Sequence, residues 1–451
     1  MSEWHQMTAL ALGAGIGKGE IDPVELTDYF FQRIETHDND RRTYILPTPD
    51  RARAEATAAR ARQKAGMRLG PLDGVPMSWK DLFDTAGITT TFGSALFRDR
   101  VPDRDARVLA RATAAGMVCL GKTNLSELAY SGLGINPTFG TPANAADPSV
   151  ERVPGGSSSG AGVSVAGGLA PAGIGSDTGG SVRIPAAWNG LVGLKTTIGR
   201  LPLDGAMPLS LSYDTAGPLT LDVADAAAVF AVLDESRMAD LKGASLNGAR
   251  LLVPTTIAFD GLDDTVAGAV EVALEALAKA GAVLDRQPVP EFAEAYDAVA
   301  EYGNVITSEG YALWRDEVAR GGNQVFAPIR ERLQLAEQMT AYQAEKAHMV
   351  LDEIARRFQA RYAGYQAVVM PTVPIVAPAI QPLMDDRTAF DAANVASARN
   401  TRFGNLMAGC GLTIPCQRPG ELPVGLCFMA APNTEGALLR LGAAAEAALQ
   451  S

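Results

Sequence analysis

The sequence predicts an α/β protein, a sheet with helices on both faces, built as one large domain. Three observations carry that expectation. Short β-prone runs ("GVPMSWKD", "MVCLGKTN", "LAPAGIGSDTGG", "LVGLKTT") alternate with Gly-rich turns and helical stretches, the texture of a sheet covered on both sides. Residues 128–200 are rich in Gly, Ser, Ala and Pro, yet apolar residues recur throughout ("VSVAGGLAPAGIG"). That stretch therefore reads as tightly folded core and not as a linker. No internal repeat or composition break divides the 451 residues, so 1–451 reads as a single domain.

The elements follow in order. Residues 7–38 read as two amphipathic helices joined at "GKGEIDP". Asp22-Pro23 opens the second, with an N-cap acceptor and a proline in the first turn, where no N–H is needed. Residues 49–66 are strongly helical and stop at Gly66, completing a helical N-terminal segment of about 1–66. A core of strands and Gly-rich turns spans about 67–220. Residues 222–240 and 263–281 read as helices with "ARLLVP" as a strand between them. Residues 290–362 are mainly helical, the centre of a variable region of about 285–362. "AVVMPTVPIVAP" and "LPVGLCFMA" return to strand, and 434–449 closes the chain as a helix.

Composition excludes several classes of function. The chain is 47% hydrophobic and 20% charged, ordinary for a soluble globular protein. Its net charge of −12 lacks the basic face that displaces counterions, so no nucleic-acid binding is expected. Cys119, Cys410, Cys416 and Cys427 form no CxxC pair and lie in apolar runs. They read as free buried thiols of a reducing compartment and not as a zinc site. The N-terminus has no basic n-region or small-residue cleavage site, and no run is long enough to span a bilayer. The expectation is a mature cytoplasmic protein with no membrane association.

Two familiar patterns are set aside. Gly116–Thr123 matches the phosphate-loop spacing, but its four middle residues, Met117 to Leu120, are apolar and β-prone and read as the strand itself. Gly156–Gly160 matches G-x-S-x-G, whose triad needs a later histidine. Only His348 follows, on what reads as the solvated face of a helix.

The chemistry concentrates in two serine-rich Gly clusters, "PGGSSSGAG" (154–162) and "GSDTGGSVRIP" (175–185), and in Lys80, set in the apolar run Val75–Asp81. A serine that attacks an amide must lose its proton. With three histidines in the chain, His5, His37 and His348, and none of them well placed, the acceptor is a carboxylate or a lysine whose burial favours the neutral amine. The run Asp177–Ser181 carries consecutive glycines that let several N–H groups converge on a developing oxyanion. On spacing alone, either cluster reads equally well as a Gly-rich turn between core elements.

Longer motifs go further. Residues 155–200, "GGSSSGAGVSVAGGLAPAGIGSDTGGSVRIPAAWNGLVGLKTTIGR", together with "GPLDGVPMSWKDLFDTAGITTTFGS" (70–94), "GKTNLSELAYSG" (121–132) and "GLTIPC…LPVGLCF" (411–428), stand in one order along most of the chain. This set resembles the amidase signature family. The resemblance implies a single α/β/α domain with a mixed, twisted central sheet. It also implies amide hydrolysis through an acyl-enzyme, with no metal or organic cofactor. Ser181 matches the nucleophile, Ser157 a bridging serine after a cis peptide bond, and Lys80 the base. The amides of Thr178, Gly179, Gly180 and Ser181 match the oxyanion donors. Ser158, Asp177 and Arg183 match positions that brace the site. Trp79, Ser159 and the "LKTT" run depart from the commoner family residues without touching the triad.

The acyl group is not legible. Ala129, Tyr130 and Ser131, the region from Tyr302 to Trp314, and segments 371–380 and 400–410 are the expected pocket walls. Tyr302, Tyr311 and Trp314 read more naturally as a core stripe, while Arg399 and Arg402 offer either a carboxylate site or surface ion pairs. The leading reading is a stand-alone amidase on a small-molecule amide, with a homodimer implied by the resemblance. The alternatives are the glutaminase subunit of a tRNA-dependent amidotransferase and a non-catalytic scaffold of the same fold.

Overall fold

A computed structural model describes residues 3–38 and 42–450. Its frame is an 11-stranded sheet. In chain order the strands are β1 (Tyr44–Pro47), β2 (Pro76–Lys80), β3 (Val118–Thr123), β4 (Ala172–Ser176), β5 (Val192–Lys195) and β6 (Ala216–Thr220), followed by β7 (Arg250–Pro254), β8 (Val283–Gln287), β9 (Ala367–Pro371), β10 (Cys410–Pro415) and β11 (Gly425–Ala430). Across the sheet they run β1-β3-β2-β4-β6-β5-β10-β11-β9-β7-β8. The triplets β3-β2-β4 and β9-β7-β8 are parallel, and the strands between them are antiparallel. The sheet is thus mixed and flanked by helices, as the α/β expectation requires.

Every residue of β2 to β6 is buried, whereas the edge strands β1 and β8 are partly exposed. Strands covered on both faces leave little room for side chains where a helix backbone comes close. That is why the central stretch is so rich in glycine. A Cβ on Gly160, in helix Ser159–Ala166, would lie 2.4 Å from the Thr43 carbonyl oxygen, and one on Gly217 in β6 would lie 1.8 Å from that of Leu194.

The N-terminal helices form as read. Asp22 accepts from the N–H of Val24 (2.8 Å), Pro23 takes the first turn, and the helix runs to His37. Helix Pro49–Lys64 ends just before Gly66, whose φ is +70°. The helix expected to reach 240 stops at Asp234, because Glu235 turns left-handed (φ +53°) and caps it. "AVVMPTVPIVAP" is strand only over Ala367–Pro371. β1, β6, β8 and β10 were not among the anticipated strands. β1 is short, β8 is polar, and β6 carries Pro218 in mid-strand, a signal that ordinarily argues against a ladder. No helix among the described residues is long and apolar enough to cross a membrane.

Candidate active site

β2 and β4 run parallel side by side, and their C-terminal residues are Lys80 and Ser176. Alternation along β2 sends Trp79 into the core, edge-on to Phe83, and Lys80 to the opposite face. Trp79 is therefore packing and does not narrow the site. Lys80 is wholly buried, and its Nζ donates to Ser157 Oγ (2.7 Å) and Ser176 Oγ (2.8 Å). Desolvation lowers its pKa to about 7, against the opposing pull of Asp214 and Asp177.

Ser157 sits just before helix Ser159–Ala166, in a cis Gly156–Ser157 peptide. Gly156 has no space for a side chain, since a Cβ there would lie 2.5 Å from the Ser131 carbonyl oxygen. The Ser158 N–H donates to the Ser181 carbonyl (3.3 Å), which ties the two serine loops together. The Ser158 hydroxyl donates to the Ser176 carbonyl (3.2 Å) and so braces the end of β4.

Beyond β4 the chain wraps around the Asp177 carboxylate. It accepts from the N–H groups of Gly180 (2.8 Å) and Val182 (3.2 Å) and from Arg183 Nε (3.0 Å) and Nη2 (2.9 Å). Burial alone would raise its pKa, but the Arg183 guanidinium holds it down to about 2. Of the four amides expected as oxyanion donors, that of Gly180 is thereby engaged. Those of Thr178, Gly179 and Ser181 meet no acceptor among the described residues. Gly180 has φ +130°, and a Cβ there would lie 2.0 Å from Thr401 Oγ1. Thr401 donates to the Gly179 carbonyl (2.7 Å) and Asn405 to Asp177 Oδ1 (3.1 Å), so helix Thr401–Leu406 bolts this loop from outside.

The sequence profile of the amidase family matches residues 25–439. The chain belongs to the amidase family. It is 36% identical to a 2-amino-5-chloromuconic acid deaminase of Comamonas testosteroni, over 96% of this chain and 94% of that one. It is 34% identical to one subunit of the glutamyl-tRNA(Gln) amidotransferase of Chloroflexus aurantiacus, over 98% and 96%. Among solved structures, an amidase superposes with a TM-score of 0.87 at 29% identity, covering 98% of this chain and 99% of that one. The peptide amidase of Stenotrophomonas maltophilia superposes at 0.81 with 28% identity, covering 100% and 98%.

Within this amidase fold, two recesses meet at Thr178. Ser181 lines the first with Ala129, Tyr130, Ser131, Arg332 and Arg402. The second, about 200 Å³, is walled mainly by Leu82, Leu203, Met207 and Leu209, and carries Ser176 and Asp214. Ala129, Tyr130 and Ser131 all line a recess, swung there by left-handed backbone at Leu128 and Ala129 (φ +52° and +55°). Other expected walls lie elsewhere. Segment 371–380 packs against Trp188, whose Nε1 donates to the Ile375 carbonyl (2.9 Å). Trp314 packs tilted against Phe92 and edge-on to Phe97 and donates to the Pro208 carbonyl (2.7 Å), while Ile306, not Tyr302 or Tyr311, reaches the recess. Arg399 turns to Asn400 (3.2 Å), leaving Arg402 alone of that pair in the recess. His348 is half-buried, with Nε2 at 3.6 Å from Glu309, and is not a free surface residue. All four cysteines are free thiols, and Cys416 alone is not fully buried.

Sequence reasoning missed Ser176, Asp214 and Arg332. Ser176 lay inside a quoted motif without an assigned role. Asp214 accepts from Thr178 Oγ1 (2.5 Å) and from the N–H groups of Leu209 (2.8 Å) and Ser210 (3.0 Å), and burial pushes its pKa up to about 6. Nothing in "LSYDTAG" signals that placement.

Proposed function

We propose that the chain hydrolyses a carboxylic amide by acyl transfer through Ser181, with Ser157 and Lys80 as proton relay and base. The single observation that carries this reading is a wholly buried lysine hydrogen-bonded to Ser157 at 2.7 Å. With a pKa of about 7, its neutral amine is well populated near neutral pH. As Ser181 Oγ attacks the carbonyl carbon, its proton passes to Ser157 and the Ser157 proton to Lys80 Nζ. The free amides of Thr178, Gly179 and Ser181 suit the developing oxyanion. The relay then returns a proton to the leaving nitrogen as the C–N bond breaks, leaving an acyl-Ser181 ester. Water repeats the sequence and releases the carboxylate. Asp177 and Arg183 act as braces for this loop. Ala129, Tyr130 and Ser131 serve as substrate contacts.

The test is intact mass after incubation with a fluorophosphonate probe, alongside ammonia release from primary amides. Wild type gains one probe mass and Ser181→Ala gains none. If neither is labelled and no amide is cleaved, the stand-alone reading fails, and the amidotransferase-subunit or scaffold alternative replaces it.

A second reading, the glutaminase subunit of a tRNA-dependent amidotransferase, is favoured by the 34% identity to one subunit of such an enzyme over nearly the whole chain. Ammonia release from glutamine only in the presence of partner subunits would select it. The buried free thiols support a reducing, cytoplasmic setting. Homodimerisation is part of the leading reading, and sedimentation equilibrium tests it.

A further inference from the structure

The Ser181 recess carries two guanidiniums and no acid. Arg332 comes from helix Ala327–Gln334 and Arg402 from helix Thr401–Leu406. Neither forms an ion pair among the described residues. The acids of the neighbouring helices are already engaged, since Arg387 holds Glu331 at 2.7 Å and Asp391 at 2.8 Å. Arg332 is fixed in place, with Nη1 donating to the Tyr130 carbonyl (2.9 Å) and its guanidinium 5.1 Å from the centre of the Tyr130 ring. Arg402 Nε is buried without a partner. Burial and the nearby Arg402 charge lower the pKa of Arg332, a cost that Tyr130 and Asp391 offset only in part. A guanidinium held against Tyr130 and a second one beside it, neither in an ion pair among the described residues, form a receptor for a planar anion.

Resting on the amide-hydrolase reading above, we propose that the substrate carries a carboxylate at its non-reacting end, bound by Arg332 and Arg402 in the Ser181 recess. The half-amide of a short dicarboxylic acid is the simplest member of that class. Chain length is limited because Ser181 and both guanidiniums share one recess of about 60 Å³. The second recess does not compete for the anion, because its wall is mainly apolar, it carries no cationic side chain and it holds the Asp214 carboxyl.

The experiment compares kcat/KM for succinamic and glutaramic acids with that for butyramide and valeramide, the same chains without the carboxylate. Wild type prefers the half-amides by about 100-fold or more. Arg332→Gln and Arg402→Gln each cut that preference at least tenfold, chiefly through KM. In parallel, succinate binding to the Ser181→Ala variant is measured by calorimetry, and each arginine substitution weakens it. Equal turnover of both amide classes by wild type overturns the proposal, as does succinate binding that neither arginine change weakens. If a glutamine variant fails to fold, Arg402→Lys and the wild-type comparison still decide. Fluorophosphonate labelling separates the two failures. Labelled enzyme without a carboxylate preference sinks the anion site and leaves the hydrolase reading standing. Unlabelled enzyme, inactive on every amide, sinks the hydrolase reading, and succinate binding still scores the anion site.

Discussion

Lys80 and Lys122 lie at the C-terminal ends of neighbouring parallel strands, both wholly buried, and they differ in what they touch. Lys122 Nζ sits 2.8 Å from Asp81 Oδ1 and donates to Thr90 (2.9 Å). Lys80 donates only to two serine hydroxyls. A third buried lysine, Lys195, caps the carbonyls of Thr196 and Gly409. Burial alone therefore does not make a base. A carboxylate at contact distance stabilises the ammonium and makes a structural ion pair, whereas neutral hydroxyls leave desolvation free to favour the amine.

The largest effect that tests this contrast is on rate. On the proposed mechanism Lys80→Met or Ser181→Ala lowers kcat by about 10⁴-fold or more, read from ammonia release, because each would remove a member of a relay whose parts act together. A Lys80→Met enzyme that kept a tenth of its activity would remove the distinction between the two lysines.

Stability reverses the ranking. Lys122→Met leaves the Asp81 carboxylate buried without its cation and costs about 3–5 kcal/mol in denaturant titration. Lys80→Met removes a desolvation penalty along with two hydrogen bonds, so its cost at neutral pH is smaller than that of Lys122→Met. Equal losses at both positions would show that Lys80 is a structural cation as well.

The pH dependence follows next. In the proposed relay the competent form is the neutral amine, and the folded-state pKa is lowered to about 7. kcat/KM therefore rises about tenfold per pH unit below 7 and levels above it. The linkage has a definite sign. Between about 7 and the ordinary lysine value of about 10.4 the unfolded chain binds the extra proton, so Lys80 makes stability rise with pH across that window. Lys80→Met removes that rise.

The smallest effect concerns Asp214. Its charge raises the Lys80 pKa, so Asp214→Asn lets it fall, and the acid limb of the kcat/KM profile moves to lower pH by less than about one unit. A shift in the other direction would mean that the Thr178 contact, not the charge, governs the site.

How much was legible in advance depended on whether a residue sat in a local motif. Lys80, Ser157 and Ser181 stand in runs whose glycines are dictated by close backbone approach, so those runs are recognisable as sequence. The walls were not legible in the same way. Segment 371–380 leaves the strand at Pro371, earlier than its β-prone residues suggest, and is turned towards Trp188 by packing that no local rule describes. Arg399 and Arg402 occupy one short stretch, yet the helix that bolts Thr401 and Asn405 to the 177–181 loop brings only Arg402 to the recess. Arg332 is one more charged residue on a helix until the fold carries it beside Tyr130.

The sequence by itself determined the alternation of strands and helices, the Gly-rich crossing points, the caps at Asp22 and Gly66, and the local runs that hold Lys80, Ser157 and Ser181. These depend on backbone conformation and contacts between near neighbours, which short runs of residue types encode. Only the tertiary structure decided which lysine lost its counter-ion, which amide of the 177–181 loop was spent on Asp177, and which arginines entered the Ser181 recess. Those outcomes depend on desolvation and on charges brought together from distant parts of the chain, quantities that exist only once the sheet has closed around them.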